Sequence, residues 1–87
     1  MAEEFNLNRL YWHSRRGMLE LDLLLLPFVE HAFIDLSQED KEDYIALLEC
    51  EDQDLFTWLM QRNTPIDPNH ARVINLILEF NRHSGQT

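Results

Sequence analysis

The sequence predicts an all-α fold: a compact bundle of about five short helices forming a single domain over residues 1–87. Three observations carry that prediction. Apolar residues recur at spacings of three and four along nearly the whole chain. No segment alternates polar and apolar residues at period two for long enough to make a strand. Helix-starting and helix-stopping residues fall between the periodic segments, where a bundle needs them. With 87 residues, 45% of them hydrophobic, the chain has the material for one small core and no deep cleft.

The first helix is expected from Phe5 to His13, with Leu7, Leu10 and Tyr11 on one side. A second is expected from about Arg15 to His31. Its stripe is Leu19, Leu23 and Leu26, flanked by Met18, Leu21 and Leu25, and Pro27 should kink it or end it nearby. In "LSQEDKEDYIALLE", Ser37 reads as an N-cap followed by first-turn acids, with Tyr44, Ile45, Leu47 and Leu48 as the buried face. A short fourth helix opens at Asp52, a capping residue by type, and carries Leu55, Phe56, Trp58 and Leu59. The fifth has Asp67 as N-cap, Pro68 at its first position, and a stripe of Val73, Ile77 and Phe80 with Ile74 and Leu78 alongside. Gly85 is its stop, and residues 1–4 and 84–87 are expected to fray.

Charge and composition exclude several function classes. Seven basic and sixteen acidic residues give a net charge of −9, which repels a phosphate backbone and argues against general nucleic-acid binding. Arg9, Arg15 and Arg16 all lie in the first sixteen residues, so the positive charge is a local patch on an acidic body. Leu23 to Val29 is the longest apolar run, far short of the ~20 residues of a membrane span. The start, Ala2-Glu3-Glu4, is acidic where a secretory or transit peptide would be basic, so a cytoplasmic protein is expected.

Catalytic chemistry finds no support in the residues. Cys50 is the single cysteine and lies between Glu49 and Glu51, whose charges disfavour a thiolate. His13, His31, His70 and His83 lie on separate segments without the i, i+4 spacing of a helical zinc site, so no metal is expected. With two glycines in all, the chain has no loop to cradle a phosphate, so any nucleotide cofactor involved would be held by something else. The acids of "SQEDKEDY" and "ECEDQD" read as caps and a solvated face, because a calcium loop would need a glycine turn. Asp52 and Asp54, beside Trp58, form a second-tier group of partner-binding or structural residues.

One stretch breaks the local rules. If "SRRGMLELD", residues 14–22, opens the second helix, then Gly17 costs about 1 kcal/mol relative to alanine. Arg15 and Arg16 would oppose the helix dipole by ~0.3–1 kcal/mol each. Arg16 and Glu20 are four apart and could pair, though with the arginine first, the weaker orientation. Two readings fit: a binding surface, or close packing at Gly17 with the arginines paired to nearby acids.

The same residues carry a resemblance. "RRGMLELD", continuing into "LLPFVEHAF", resembles the RGxxE signature of the small assembly factors of succinate dehydrogenase known as flavinators, with Arg16, Gly17 and Glu20 at the fixed positions. "LLECEDQDLFTWLM" is similar to that family's second block, LLExxDxDLxxWL, and the two blocks stand in the family's order and spacing. The resemblance runs from about Arg9 to Glu79. It implies a five-helix bundle that is not itself an enzyme. It implies a partner, the flavoprotein subunit of succinate dehydrogenase or fumarate reductase, and covalent attachment of FAD to a histidine of that subunit. It implies that FAD is held by the partner and not stably by this chain, and, because mitochondrial relatives carry a targeting extension, a bacterial protein; a monomer when free is expected alongside. Carried over residue by residue, it gives Arg16, Gly17 and Glu20 as the partner-binding set. Arg15 and Arg9 extend the patch by charge and proximity, and Trp12 adds an apolar part. Two other classes stay open: an acidic antitoxin-like or regulatory adaptor for a basic protein, and a carrier that delivers free FAD.

Overall fold

Amphipathic spacing and local caps produce five α-helices and a 3-10 turn in the computed structural model, which describes residues 7–84, with the side chain of Ser84 excepted. They are α1 (Leu7–Ser14), α2 (Leu19–His31), the turn Phe33–Asp35, α3 (Gln38–Leu47), α4 (Asp52–Leu59) and α5 (Pro68–Ser84). No strand occurs among the described residues, and the all-α expectation holds. The expectations for Phe5, for fraying at 1–4 and 85–87 and for a stop at Gly85 lie outside the described residues; Ser84 ends α5.

The capping devices work as their residue types require. Ser37 adopts an extended backbone and its hydroxyl accepts the Asp40 N–H at 3.1 Å. Asp67 accepts the Asn69 N–H at 2.8 Å, with Pro68 opening α5. The expected cap at Asp52 differs. Glu51 occupies the N-cap position without a side-chain hydrogen bond, and Asp52 is the first residue of α4, where its carboxylate is engaged elsewhere.

α2 is the central helix, packed against α1, α4, α5 and the 3-10 turn, while α3 packs on α5. Its buried residues are Leu21, Leu25, Phe28 and Val29, meeting Tyr44 and Leu47 from α3, Leu55 and Leu59 from α4, and Val73 and Ile77 from α5. This corrects the expected stripe: Leu19 and Leu23 point outward, and the core uses the face about 160° around the helix from them. Pro27 neither ends nor interrupts the helix, which continues to His31. The proline ring removes one N–H from the ladder. The neighbouring Leu24 carbonyl receives a hydrogen bond from Asn81 Nδ2 at 3.1 Å, and the same amide donates to Ile77 O at 2.8 Å.

Polar contacts also tie the helices, one inside the core and a cluster at the surface. Ser14, fully buried at the end of α1, shares a 2.7 Å hydrogen bond with the Tyr44 hydroxyl of α3. Burial pushes the Tyr44 phenol well above its ordinary range, with the Ser14 bond and Arg16 pulling the other way, so it stays neutral. At the surface, Arg72 of α5 reaches Asp43 at 2.7 Å, Asp40 at 3.0 Å and Glu39 at 3.5 Å on α3.

Ser14→Ala would strand the buried Tyr44 hydroxyl and is expected to destabilise the fold by about 1–3 kcal/mol. The double variant Ser14→Ala/Tyr44→Phe removes both partners and should recover part of that loss. Urea unfolding followed by circular dichroism measures both.

Candidate functional site

The rule-breaking stretch is not the first turn of a helix. α1 ends at Ser14 and α2 begins at Leu19, with Met18 extended at the N-cap position, so Arg15, Arg16 and Gly17 form the connection between them. Gly17 has φ +79°, in the left-handed region that side chains rarely adopt. A Cβ placed there would meet nothing within 4 Å, so backbone conformation rather than space demands glycine. The expected helix-interior penalty therefore does not arise, and the arginines precede the dipole of α2 instead of opposing it from within. The turn is held at both ends: Arg15 N–H donates to Trp12 O at 3.2 Å, and Arg16 N–H to Asp22 Oδ1 at 2.8 Å.

The Arg16 side chain leaves this turn for the junction of α3 and α4. Its guanidinium donates to the carbonyl of Leu48, the C-cap residue of α3, where a helix leaves carbonyls without partners and favours a cation. Its Nε lies 3.3 Å from Asp52 Oδ1, an ion pair without hydrogen-bond alignment, and only 13% of the side chain is exposed. The Arg16–Glu20 pair that the spacing allowed is not formed; Arg16 turns inward and Glu20 is exposed on α2.

What remains outside is a mixed surface. Trp12, Leu19 and Leu23 are 64%, 68% and 61% exposed. The Arg15 guanidinium lies 5.5 Å from the Trp12 ring centroid, a cation–π contact that orders both side chains. Leu19 and Leu23 are one turn apart on α2, and Glu20 lies beside them. Arg9, also exposed, is on α1. The fold thus brings together Trp12 with Arg15, and Glu20 with two leucines that sequence reasoning assigned to the core stripe. A signal for them existed: Leu23 to Leu26 make α2 apolar all round, more than one core face can use.

The second-tier residues separate. Asp52 holds Arg16, Asp54 is exposed in the first turn of α4, and Trp58 is half-buried with its ring 6.0 Å from that of His70. Cys50, partly buried, has Sγ 3.9 Å from His70 Nδ1. Burial raises its thiol pKa first, and the charge of Asp54 adds to this. Among the described residues no group of three or more His, Cys, Asp or Glu is placed to hold a metal ion. No helix among them is long and apolar enough to cross a membrane.

Comparison with known proteins decides what this arrangement belongs to. Residues 8–81 match the family model described as flavinator of succinate dehydrogenase. This chain belongs to the flavinator family. A relative named FAD assembly factor SdhE in Pseudomonas aeruginosa is 56% identical over 79 residues, 91% of this chain and 94% of the relative. Its namesake in Serratia is 44% identical over 80 residues, 92% of this chain and 91% of the relative. The solution structure of a UPF0350 protein, 38% identical, superposes with a TM-score of 0.72 over 88% of this chain and 82% of that one. The family description and the relatives' names denote an assembly factor rather than a catalyst. In this flavinator Arg16, Gly17 and Glu20 have three different situations: Arg16 faces the α3–α4 junction, Gly17 makes the turn, and Glu20 faces solvent.

Gly17→Ala should destabilise the protein by about 1–2 kcal/mol through the positive φ alone, and Gly17→Asn by less, read as the shift in urea midpoint. The Cys50 thiol should react with iodoacetamide at pH 8 several-fold more slowly than free cysteine, because its raised pKa lowers the thiolate fraction. Mass spectrometry of timed aliquots gives the rate.

Proposed function

We propose that this flavinator binds the flavoprotein subunit of succinate dehydrogenase, and of fumarate reductase where one is present, and promotes covalent attachment of FAD to it. The observation that carries the reading is the family match across residues 8–81, joined to relatives of 44–56% identity named FAD assembly factors. Bacterial relatives support a bacterial setting, and we place the protein in the cytoplasm as a monomer when free. FAD stays with the flavoprotein, and this chain holds no cofactor of its own.

The contact surface in this reading is the Trp12–Arg15 pair with Gly17, Leu19, Glu20 and Leu23; exposed Arg9 extends it, and Arg16 joins it through the turn it forms while its side chain faces the α3–α4 junction. An aromatic and an arginine ordered against each other make a preformed anchor of the kind that dominates interfaces. Two leucines supply apolar area beside them, and bare Gly17 lets a partner's backbone come close. Glu20 offers a carboxylate to a cation on the flavoprotein.

The role is conformational. Covalent flavinylation requires the flavin 8α carbon to lie next to a histidine nitrogen of the flavoprotein, and holding such a geometry removes several kcal/mol of barrier. A small bundle that binds the competent arrangement better than the others raises its population by that difference in affinity.

Leu23→Glu and Glu20→Arg alter exposed side chains and should leave the melting temperature within a few degrees of wild type. Each should reduce flavoprotein binding by about tenfold or more and lower covalent flavin, seen as in-gel fluorescence of the co-expressed subunit. Undiminished binding and fluorescence in both variants would remove this surface from the mechanism.

A further inference from the structure

We infer that Arg16 is a positioning residue: its seat on the Leu48 carbonyl and Asp52 fixes the turn that presents Trp12, Arg15 and Glu20, and its side chain does not itself grip the partner. The inference rests on the proposed function and sharpens one member of that surface.

The geometry sets Arg16 apart from its neighbours. Trp12, Arg15, Leu19, Glu20 and Leu23 are exposed, whereas the Arg16 side chain retains 13% of its exposure and points at the α3–α4 junction. Its guanidinium is engaged by Leu48 O and lies against Asp52, so a flavoprotein carboxylate would reach its remaining N–H groups only through the 13% of the side chain that stays exposed. Its main chain has a second attachment, the N–H donated to Asp22 Oδ1 in the first turn of α2. Arg16 therefore fastens the turn to α2 through its backbone and to α3 and α4 through its side chain. Gly17, the next residue, supplies at little steric cost the left-handed conformation that turns the chain into α2. A contact surface keeps its geometry when the residues beneath it are locked by packing and hydrogen bonds.

The consequence reaches the second sequence block. Leu48 and Asp52 belong to "LLECEDQDLFTWLM", 30 residues and more from the turn, and in this arrangement that block acts on partner binding through Arg16. Asp52 is 43% exposed and does not need to touch the partner for its loss to be felt.

A double-mutant cycle separates positioning from contact. Dissociation constants for the purified flavoprotein subunit would be measured at 10 °C for wild type, Arg16→Gln, Asp52→Asn and the pair, with melting temperatures taken in parallel. Asp52→Asn alone should weaken binding several-fold, and the double variant should be no weaker than Arg16→Gln within about twofold. In two-dimensional NMR of the free protein, Asp52→Asn should move the Gly17 amide and Trp12 indole signals. Arg72→Ala, which opens the α3–α5 clasp at the surface, should lower the melting temperature with neither effect. If Arg16→Gln does not fold, Arg16→Lys takes its place, since one ammonium cannot reproduce the two-pronged contact. Losses that multiply in the double variant, or wild-type affinity in Asp52→Asn, would make Arg16 a direct contact and overturn the inference. Gly17 and Trp12 signals unmoved by Asp52→Asn would overturn it as well. A wild-type protein that fails to bind the flavoprotein would instead sink the functional reading, and the NMR arm would still test the placement of Arg16.

Discussion

The arrangement of this flavinator depends on one guanidinium with little access to water. Arg16 sits where the C-terminus of α3 and the N-terminus of α4 meet, and it satisfies one end of each: the free carbonyl of Leu48 and the carboxylate of Asp52. A mostly desolvated charge is tolerated only with partners in place, so the contact enforces itself. Because the Arg16 backbone is also bonded to Asp22, the same residue decides where α2 starts. Four of the five helices owe part of their relative placement to it: α1 by leading into the turn, α2 by its first residues, α3 and α4 by their facing ends.

That placement determines which side of α2 faces the core. The helix is apolar on nearly every face, so burial of Leu21, Leu25 and Phe28 leaves Leu19 and Leu23 outside. A lone exposed leucine is ordinary on any protein surface. Two exposed leucines one turn apart, on the helix that follows the Trp12–Arg15 pair, are the apolar part of the proposed contact surface. The helix that buries Leu21, Leu25, Phe28 and Val29 in the core thus also supplies Leu19 and Leu23 to the candidate contact face.

Local devices were legible because their physics is local. Ser37 and Asp67 cap the helices that follow them, since a short oxygen-bearing side chain reaches its own next turn whatever the rest of the fold does. The start of α2 was misread for the opposite reason. Arg15 to Gly17 scored as a poor helix opening, and the glycine in fact marks a left-handed turn that ends one helix before the next begins. Asp52 looked like a cap, having the right residue type at the right place, but its carboxylate is claimed by Arg16 from a distant segment. The end of α2 at His31 was also legible, and Pro27 stands inside the helix four residues before it, with Asn81 of α5 donating to the nearby Leu24 carbonyl.

By itself the sequence determined the helix count, the class of fold, the acidic body with a local cluster of arginines at 9, 15 and 16, and the two blocks that carry the family resemblance. These follow from periodicity, residue type and order, which are properties of the chain as a string. The tertiary structure alone decided that the two blocks meet, that Arg16 turns inward while Glu20 turns out, and which leucines of α2 stay exposed. Those outcomes depend on contacts between residues some thirty positions apart, where side-chain direction and burial are set by packing and no local spacing can specify them.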